Sequence, residues 1–445
     1  MKKTILFGLL SFIVVPVIAQ KQWTLRECID YAIKHNIEIQ QQEIKRKNAE
    51  ISLNTTKNSR LPNLNASAGE TFNWGINEKR TPTSDGYVTS YENISSSSSS
   101  FSISSTTPIF DGFKTTNQIK SNELNLLSAT SGLAKAKDNL SLNIASYFLQ
   151  ILFKKEILRV YQEQEKLSAQ QLQKTQDLVD AGKVAQSQAY DMKSKLASDH
   201  LNVVNAENDL NLSLLNLSQQ LNLSDPAGFN VLTPDVDGIV SGSLSSMQTP
   251  QDVYNTAVAS KAIVKESEYN LKSSEKSLKV AQSAYWPTLS LGLGLGTSYL
   301  STYGESFNKQ LKNNRAEYVA LNLNIPIFNR WATRNSVRAA RLDIQNNQLA
   351  LESVKQSLYK DIQTAYYNAV AAKTKYDATE RALSAAQIAF SYMRDKYGVG
   401  KATVFEYNES QTKLISSQSD LLQAKYDYIF RTKILDFYNG REIVL

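Results

Sequence analysis

Pro108-Ile109-Phe110-Asp111 and Pro326-Ile327-Phe328-Asn329 are the same punctuation written twice, 218 residues apart. Each stands at the head of about 67 residues that contain no proline. At 1.5 Å per residue such a run is roughly 100 Å of helix, whereas globular helices usually stop after three or four turns. The chain therefore builds something very long, and builds it twice.

Both runs carry a seven-residue beat. In the second, Val337, Ile344, Leu351, Leu358, Ala365, Ala372, Thr379, Ala386 and Met393 form one row. Ile362, Ala369, Tyr376, Leu383, Phe390 and Tyr397 form its companion. In the first, Leu126, Leu133, Leu140 and Tyr147 pair with Ile144, Ile151, Leu158, Leu172 and Val179. A sustained heptad coils helices around neighbours. A two-stranded coiled coil would satisfy it too, although Ala365 and Ala372 suit closer packing among several helices.

Working outward, residues 1–19 combine two lysines, an apolar stretch from Ile5 to Ile18 and Ala19 before Gln20, the pattern of a secretory signal peptide. Its loss takes the formal charge from +7 to +5. No later segment approaches the ~20 apolar residues of a membrane helix. The one cysteine, Cys28, excludes an internal disulfide framework and reads as a small buried apolar side chain. Basic residues are spread along the helices without interleaved aromatics, so no nucleic-acid surface is expected.

Each half reads helix, strand, strand, long helix, helix. Repeat one, residues 20–222, places helices at about 24–57, 112–178 and 186–222, with strands at about 62–75 and 96–109. Thr24 and Glu27 make a capping box for the first helix, and residues 75–93, with Pro82 and Asp85-Gly86, read as a loop. Residues 223–250 read as a linker, after which Thr249-Pro250 restarts the pattern. Repeat two, 251–440, has helices at about 251–283, 330–397 and 404–438 and strands at about 287–299 and 316–327, with 301–315 as a polar loop and 441–445 as a tail. Gly182-Lys183 and Gly400-Lys401 interrupt the helices at matching places, again 218 apart.

The two shorter helices of the first repeat together nearly equal the long one, so stacked end to end they would match its height. The strands, about 10 residues each with alternating apolar and polar sides, have the length of bilayer-crossing β segments. Leu289, Leu291, Leu293 and Leu295 alternate with Ser290, Gly292, Gly294 and Gly296. Four strands cannot close a barrel, and lipid does not tolerate an open edge. Three copies would supply 12.

With this duplicated order, the Leu61-Pro62 and Trp286-Pro287 strand entries, the Pro-Ile-Phe exits and the Val399-Gly400 turn, the mature chain resembles the TolC family of outer-membrane efflux proteins. The resemblance implies a mainly α protomer that trimerises into a 12-stranded membrane β-barrel on a long α-helical coiled-coil tunnel. It implies an equatorial belt built from the linker and tail, contact with outer-membrane lipid, and two partners, a periplasmic adaptor and an inner-membrane transporter. The rival reading is a periplasmic coiled-coil adaptor or structural protein without a barrel. His35 and His200 are the only histidines, and no nucleophile elbow, phosphate loop or metal-ligand cluster is present. The chain is therefore expected to be neither an enzyme nor a carrier of a cofactor or metal.

In that family the inter-helix turns mark the periplasmic tip, and acidic residues beyond them narrow the entrance. By resemblance, Gly182, Lys183, Gly400 and Lys401 would be adaptor-facing tips. Glu406 and Glu409, three apart on one helical face, with Gln188 and Asp191 at the same offsets in the first repeat, would line the aperture. The alternative for these carboxylates is a solvated helix surface.

Overall fold

The computed structural model describes residues 22–223, 228–236 and 248–445. The expected signal peptide, and residues 224–227 and 237–247 of the expected linker, lie outside them. The described residues form two compact units.

One unit comprises Ile44–Gly132 and Lys265–Val354. Its centre is a four-stranded antiparallel sheet in which Asn65–Thr83 pairs with Gly86–Phe110, that strand with Thr288–Leu300, and the last with Ala316–Asn324. The register places Leu289, Leu291 and Leu293 opposite Leu323, Leu321 and Val319. Alternation then puts all of these on one side. Val319, Leu321 and Leu323 are 74%, 67% and 63% exposed, an apolar surface that a water-soluble sheet would bury. The other side is polar and small, with Ser67 and Ser102 hydroxyls bonded at 2.8 Å. Gly294 has no substitute there, because a Cβ would run into the Tyr318 ring.

Two corrections belong to this unit. Residues 75–93 are not a loop but the body of a hairpin, paired without interruption from Asn65↔Ser104 to Thr83↔Gly86. Ser84-Asp85 is its two-residue turn rather than one bend in a longer loop, and Gly86, at φ 133°, opens the return strand. The period of two persists through Tyr87, Thr89 and Tyr91 even though the composition is polar. Pro82, without an N–H, is tolerated because its strand is at the edge of the described sheet. Residues 301–315 are likewise not plain loop. They hold a helix, Phe307–Asn313, whose Phe307 ring packs 5.0 Å from Tyr299 and 6.4 Å from Phe101. Gln310, 4% exposed, is held by the backbone of Leu300 and Glu305.

Both strand exits use one turn. Gly112 and Phe113 have φ of 65° and 63°, and Arg330 and Trp331, 218 residues on, have φ of 56° and 63°. A Cβ at residue 112 would approach Ser283 O and Trp286 Cβ at 2.7 Å, which selects glycine in the first copy. Past these turns run helices Lys114–Asp180 and Ala332–Gly398, 67 residues each.

The second unit comprises residues 22–43, Leu133–Val264 and Lys355–Leu445. Its core joins Ile144, Phe148, Ile151 and Leu152 of the first long helix to Leu217, Leu221, Tyr428, Ile429 and Cys28. Along Ala332–Gly398, which runs through both units, every named heptad position from Val337 to Met393 is buried or half-buried, as the period requires. The parallel pairing of Gln22–Trp23 with Asn230–Val231 brings the linker to the chain start, and Ile443 of the tail is buried in the same core.

Here too the expected helices differ. Neither 24–57 nor 251–283 is continuous. The first breaks at Asn36 (φ −65°, ψ 132°) between Leu25–His35 and Ile37–Asn58; the second breaks at Lys261 (φ −69°, ψ 133°) between Pro250–Ser260 and Ala262–Ser283. Asn36 Oδ1 accepts the Glu38 N–H at 2.9 Å and starts the new helix, while its amide donates to Gln220 O at 3.1 Å. Lys261 is 9% exposed with Nζ 3.3 Å from the Phe437 ring centroid; burial lowers its pKa and nearby Asp138 opposes that shift. The remaining helices start and stop within a few residues of expectation, Gln186–Gln220 and Val404–Tyr438 included.

Candidate functional site at the helix turns

Each long helix ends in a glycine cap. Gly182 (φ 68°) donates its N–H to Val179 O at 2.8 Å and Lys183 donates to Leu178 O at 2.9 Å. Gly400 (φ 74°) and Lys401 repeat the pattern onto Tyr397 O at 3.1 Å and Lys396 O at 2.8 Å. Two N–H groups reaching back over the last turn, with glycine in the left-handed region, satisfy carbonyls the helix would otherwise orphan. Gly182, Lys183, Gly400 and Lys401 are all exposed, as are Val399 at 69% and Phe405 at 76%.

The acidic residues divide by role. Glu406 is the third residue of a capping box: its carboxylate accepts the Thr403 N–H at 2.7 Å and the Thr403 hydroxyl at 2.8 Å, while Thr403 Oγ1 accepts the Glu406 N–H at 3.2 Å. These bonds to Thr403 hold its carboxyl below the ordinary value. A lowered pKa means the cap stabilises the helix start above the usual carboxylate range and is lost as pH falls through the lowered value. Ala185 occupies the matching position in the first repeat and makes no side-chain cap. Glu409 and Asp191 are exposed, and Gln188 is half-buried. No hydrogen bond or ion pair among the described residues joins the first turn's residues to the second's. Each set is built within its own hairpin.

Two features near the turns escaped the sequence reading. Tyr407 is buried against Tyr397 and Phe390, with ring centroids 4.9 Å and 5.5 Å away. Burial, with Tyr397 adding to it, pushes the phenol above its ordinary pKa. Asp199 is 1% exposed and accepts Ser168 Oγ at 2.6 Å and Gln164 Nε2 at 3.3 Å, with Lys195 Nζ at 2.7 Å. The signal for it was available: Asp199 lies seven residues after Met192 and seven before Ala206, both buried. A carboxylate in a heptad seam must be paired. The positions 218 further on are Ala382, Ala386, Lys413 and Ser417, so the knot belongs to the first repeat alone. The histidines have structural contacts, His35 stacked on Tyr31 and His200 2.7 Å from Glu165.

The chain matches the Outer membrane efflux protein family over residues 28–223 and 253–437, the two repeats. It is 23% identical to the probable outer membrane lipoprotein SilC of Salmonella typhimurium, covering 89% of this chain and 81% of SilC. It is 24% identical to the outer membrane protein TolC of Escherichia coli, covering 85% and 74%. Crystal structures of CusC superpose with a TM-score of 0.78 at 16% identity, covering 94% of this chain and 92% of CusC, which shows a shared fold. Twin repeats, an exposed apolar sheet face and a family match spanning both halves lead to one statement: the chain belongs to the Outer membrane efflux protein family, an efflux channel component of the outer membrane whose helical part stands in the periplasm.

Proposed function

We propose that three copies of this chain close their sheets into one 12-stranded barrel over a shared helical tunnel, and that the assembly is the exit duct for substrates passed on by an inner-membrane transporter through a periplasmic adaptor. The observation that carries this reading is the sheet order, which leaves Asn65–Thr83 and Ala316–Asn324 each with an unpaired edge beside an exposed apolar face. In lipid those edges require strands from other chains. The described part of the linker and the buried tail supply material for a belt, and the glycine turns are the adaptor-facing tips. An adaptor without a barrel would have no use for four such strands.

Around a threefold axis, Glu409 and Asp191 would form an acidic ring at the periplasmic aperture, with Glu406 contributing charge from within its cap. Carboxylate rings favour cations and bind multivalent ones. Purified protein in planar bilayers should conduct, prefer cations and be blocked by a trivalent cation. In Glu409→Gln/Asp191→Asn, block should vanish and cation preference should fall severalfold. Adding Glu406→Ala, which removes the acceptor for the Thr403 N–H along with the charge, should also fray the helix at Val404, seen as faster amide exchange there. Unchanged selectivity and block would return Glu409 and Asp191 to a solvated surface.

A further inference from the structure

The start of the second long helix carries arginines that the duct does not use. Arg334, Arg338 and Arg341 are exposed and, with Tyr285 and Trp286, line a cavity of about 710 Å³. None of the three is in an ion pair among the described residues. Arg334 lies 5.0 Å over the Trp331 ring, and Tyr285, Trp286 and Trp331 are 54%, 56% and 57% exposed. The duplication supplies an internal comparison, since the matching residues of the first repeat are Thr116, Lys120 and Glu123. There the equivalent of Arg334 is bonded to Arg60 at 3.0 Å, and the equivalent of Arg341 lies 3.7 Å from Lys57. Lys120, the equivalent of Arg338, is exposed and outside any ion pair among the described residues, so the two repeats differ at Arg334 and Arg341.

The side of the helix follows from the same comparison. Lys114, Thr115 and Gln118 line a second cavity with Trp286, Thr288 and Asn324, the last two of which belong to the polar side of the sheet. At 100° per residue, Thr116, Lys120 and Glu123 project on average about 160° away from that group. Both long helices leave their strands through the same left-handed pair, so Arg334, Arg338 and Arg341 take the side away from the polar sheet face. In a barrel with a polar lumen, that is the lipid side. Arg334 and Arg338 fall within about 10 Å of the helix start, level with a membrane–water interface, where tryptophan and tyrosine collect.

We propose that this cleft binds the phosphate headgroup of an anionic glycerophospholipid in the periplasmic leaflet, with Arg334 and Arg338 forking onto phosphate oxygens and Trp331, Tyr285 and Trp286 flanking the glycerol. A guanidinium suits this task because its planar donors match phosphate oxygens in pairs. The inference rests on the barrel reading, which fixes the lipid side.

The test titrates phosphatidylglycerol, phosphatidylcholine and lipopolysaccharide onto the detergent-solubilised, assembled protein and counts bound lipid by native mass spectrometry. The wild type should bind phosphatidylglycerol at least tenfold more tightly than phosphatidylcholine, and lipopolysaccharide, the phosphorylated lipid of the opposite leaflet, should not displace it. Arg334→Gln/Arg338→Gln should lose that preference while still conducting in bilayers. Arg334→Lys/Arg338→Lys should recover part of it, and Arg80→Gln on the distant hairpin should leave it intact. An assembled, conducting wild type that does not discriminate the two phospholipids, or a glutamine variant that discriminates as well as wild type, overturns the proposal and leaves the channel reading standing. A wild type that neither assembles nor conducts removes both.

Discussion

Arginine at Leu293 or Leu321 is expected to prevent insertion of the protein, while arginine at Gly292 or Asn322, on the facing side of the same strands, is expected to be tolerated. Leu293 and Leu321 are 42% and 67% exposed on the apolar face. Placing arginine near the bilayer midplane on a lipid-facing strand costs about 2–4 kcal/mol. Three chains per barrel bring that to roughly 6–12 kcal/mol, comparable with the whole stability of an ordinary domain. Gly292 and Asn322 point the other way, and a Cβ at 292 meets nothing closer than 3.7 Å. An arginine there would enter a water-filled lumen and alter conductance rather than folding. The measurement is the fraction of protein recovered from outer membranes in a protease-resistant form. Equal recovery for the two pairs of positions would mean that the faces are assigned wrongly.

The second large effect is expected at Asp199. Removing its carboxylate leaves Lys195, whose side chain is 18% exposed, beside the Gln164 and Ser168 dipoles with no counter-charge. Breaking one partner of a buried pair costs about 3–5 kcal/mol; the lysine can swing its ammonium partly towards water, so the lower end is expected. Asp199→Leu should therefore open the hairpin of helices Lys114–Asp180 and Gln186–Gln220 locally, read as a roughly hundredfold loss of amide-exchange protection around Val203, since 1.4 kcal/mol is a factor of ten. Replacing the knot with its counterparts from the second repeat, Gln164→Ala, Ser168→Ala and Asp199→Ser, together with Lys195→Met, should restore most of that protection. A fully protected Asp199→Leu protein would mean that the knot contributes no stability.

Much of the fold was legible because it is written twice. The Pro-Ile-Phe exits, the Gly-Lys turns and the heptad rows repeat at one spacing, and each is tied to a backbone requirement. What stayed hidden had no such punctuation. Asn36 and Lys261 break their helices without glycine or proline, one through a side-chain cap and the other under a lysine folded over an aromatic ring. The long hairpin was hidden by composition: polar residues pair in strands as well as apolar ones when both sides face water. At the candidate site, the turns were legible from glycine, but the duty of Glu406 was not. Thr403-x-x-Glu406 is the same capping signature as Thr24-x-x-Glu27, where both reciprocal bonds also form.

The claim on which the others rest is that the unpaired edges of Asn65–Thr83 and Ala316–Asn324 are closed by neighbouring copies of the chain. Native mass spectrometry of the mature protein, extracted from outer membranes in mild detergent, counts those copies directly. Three chains per particle, with no folded single chain, is the expected result. A folded, membrane-extracted monomer, or a particle of any other number of chains, would contradict the 12-stranded barrel.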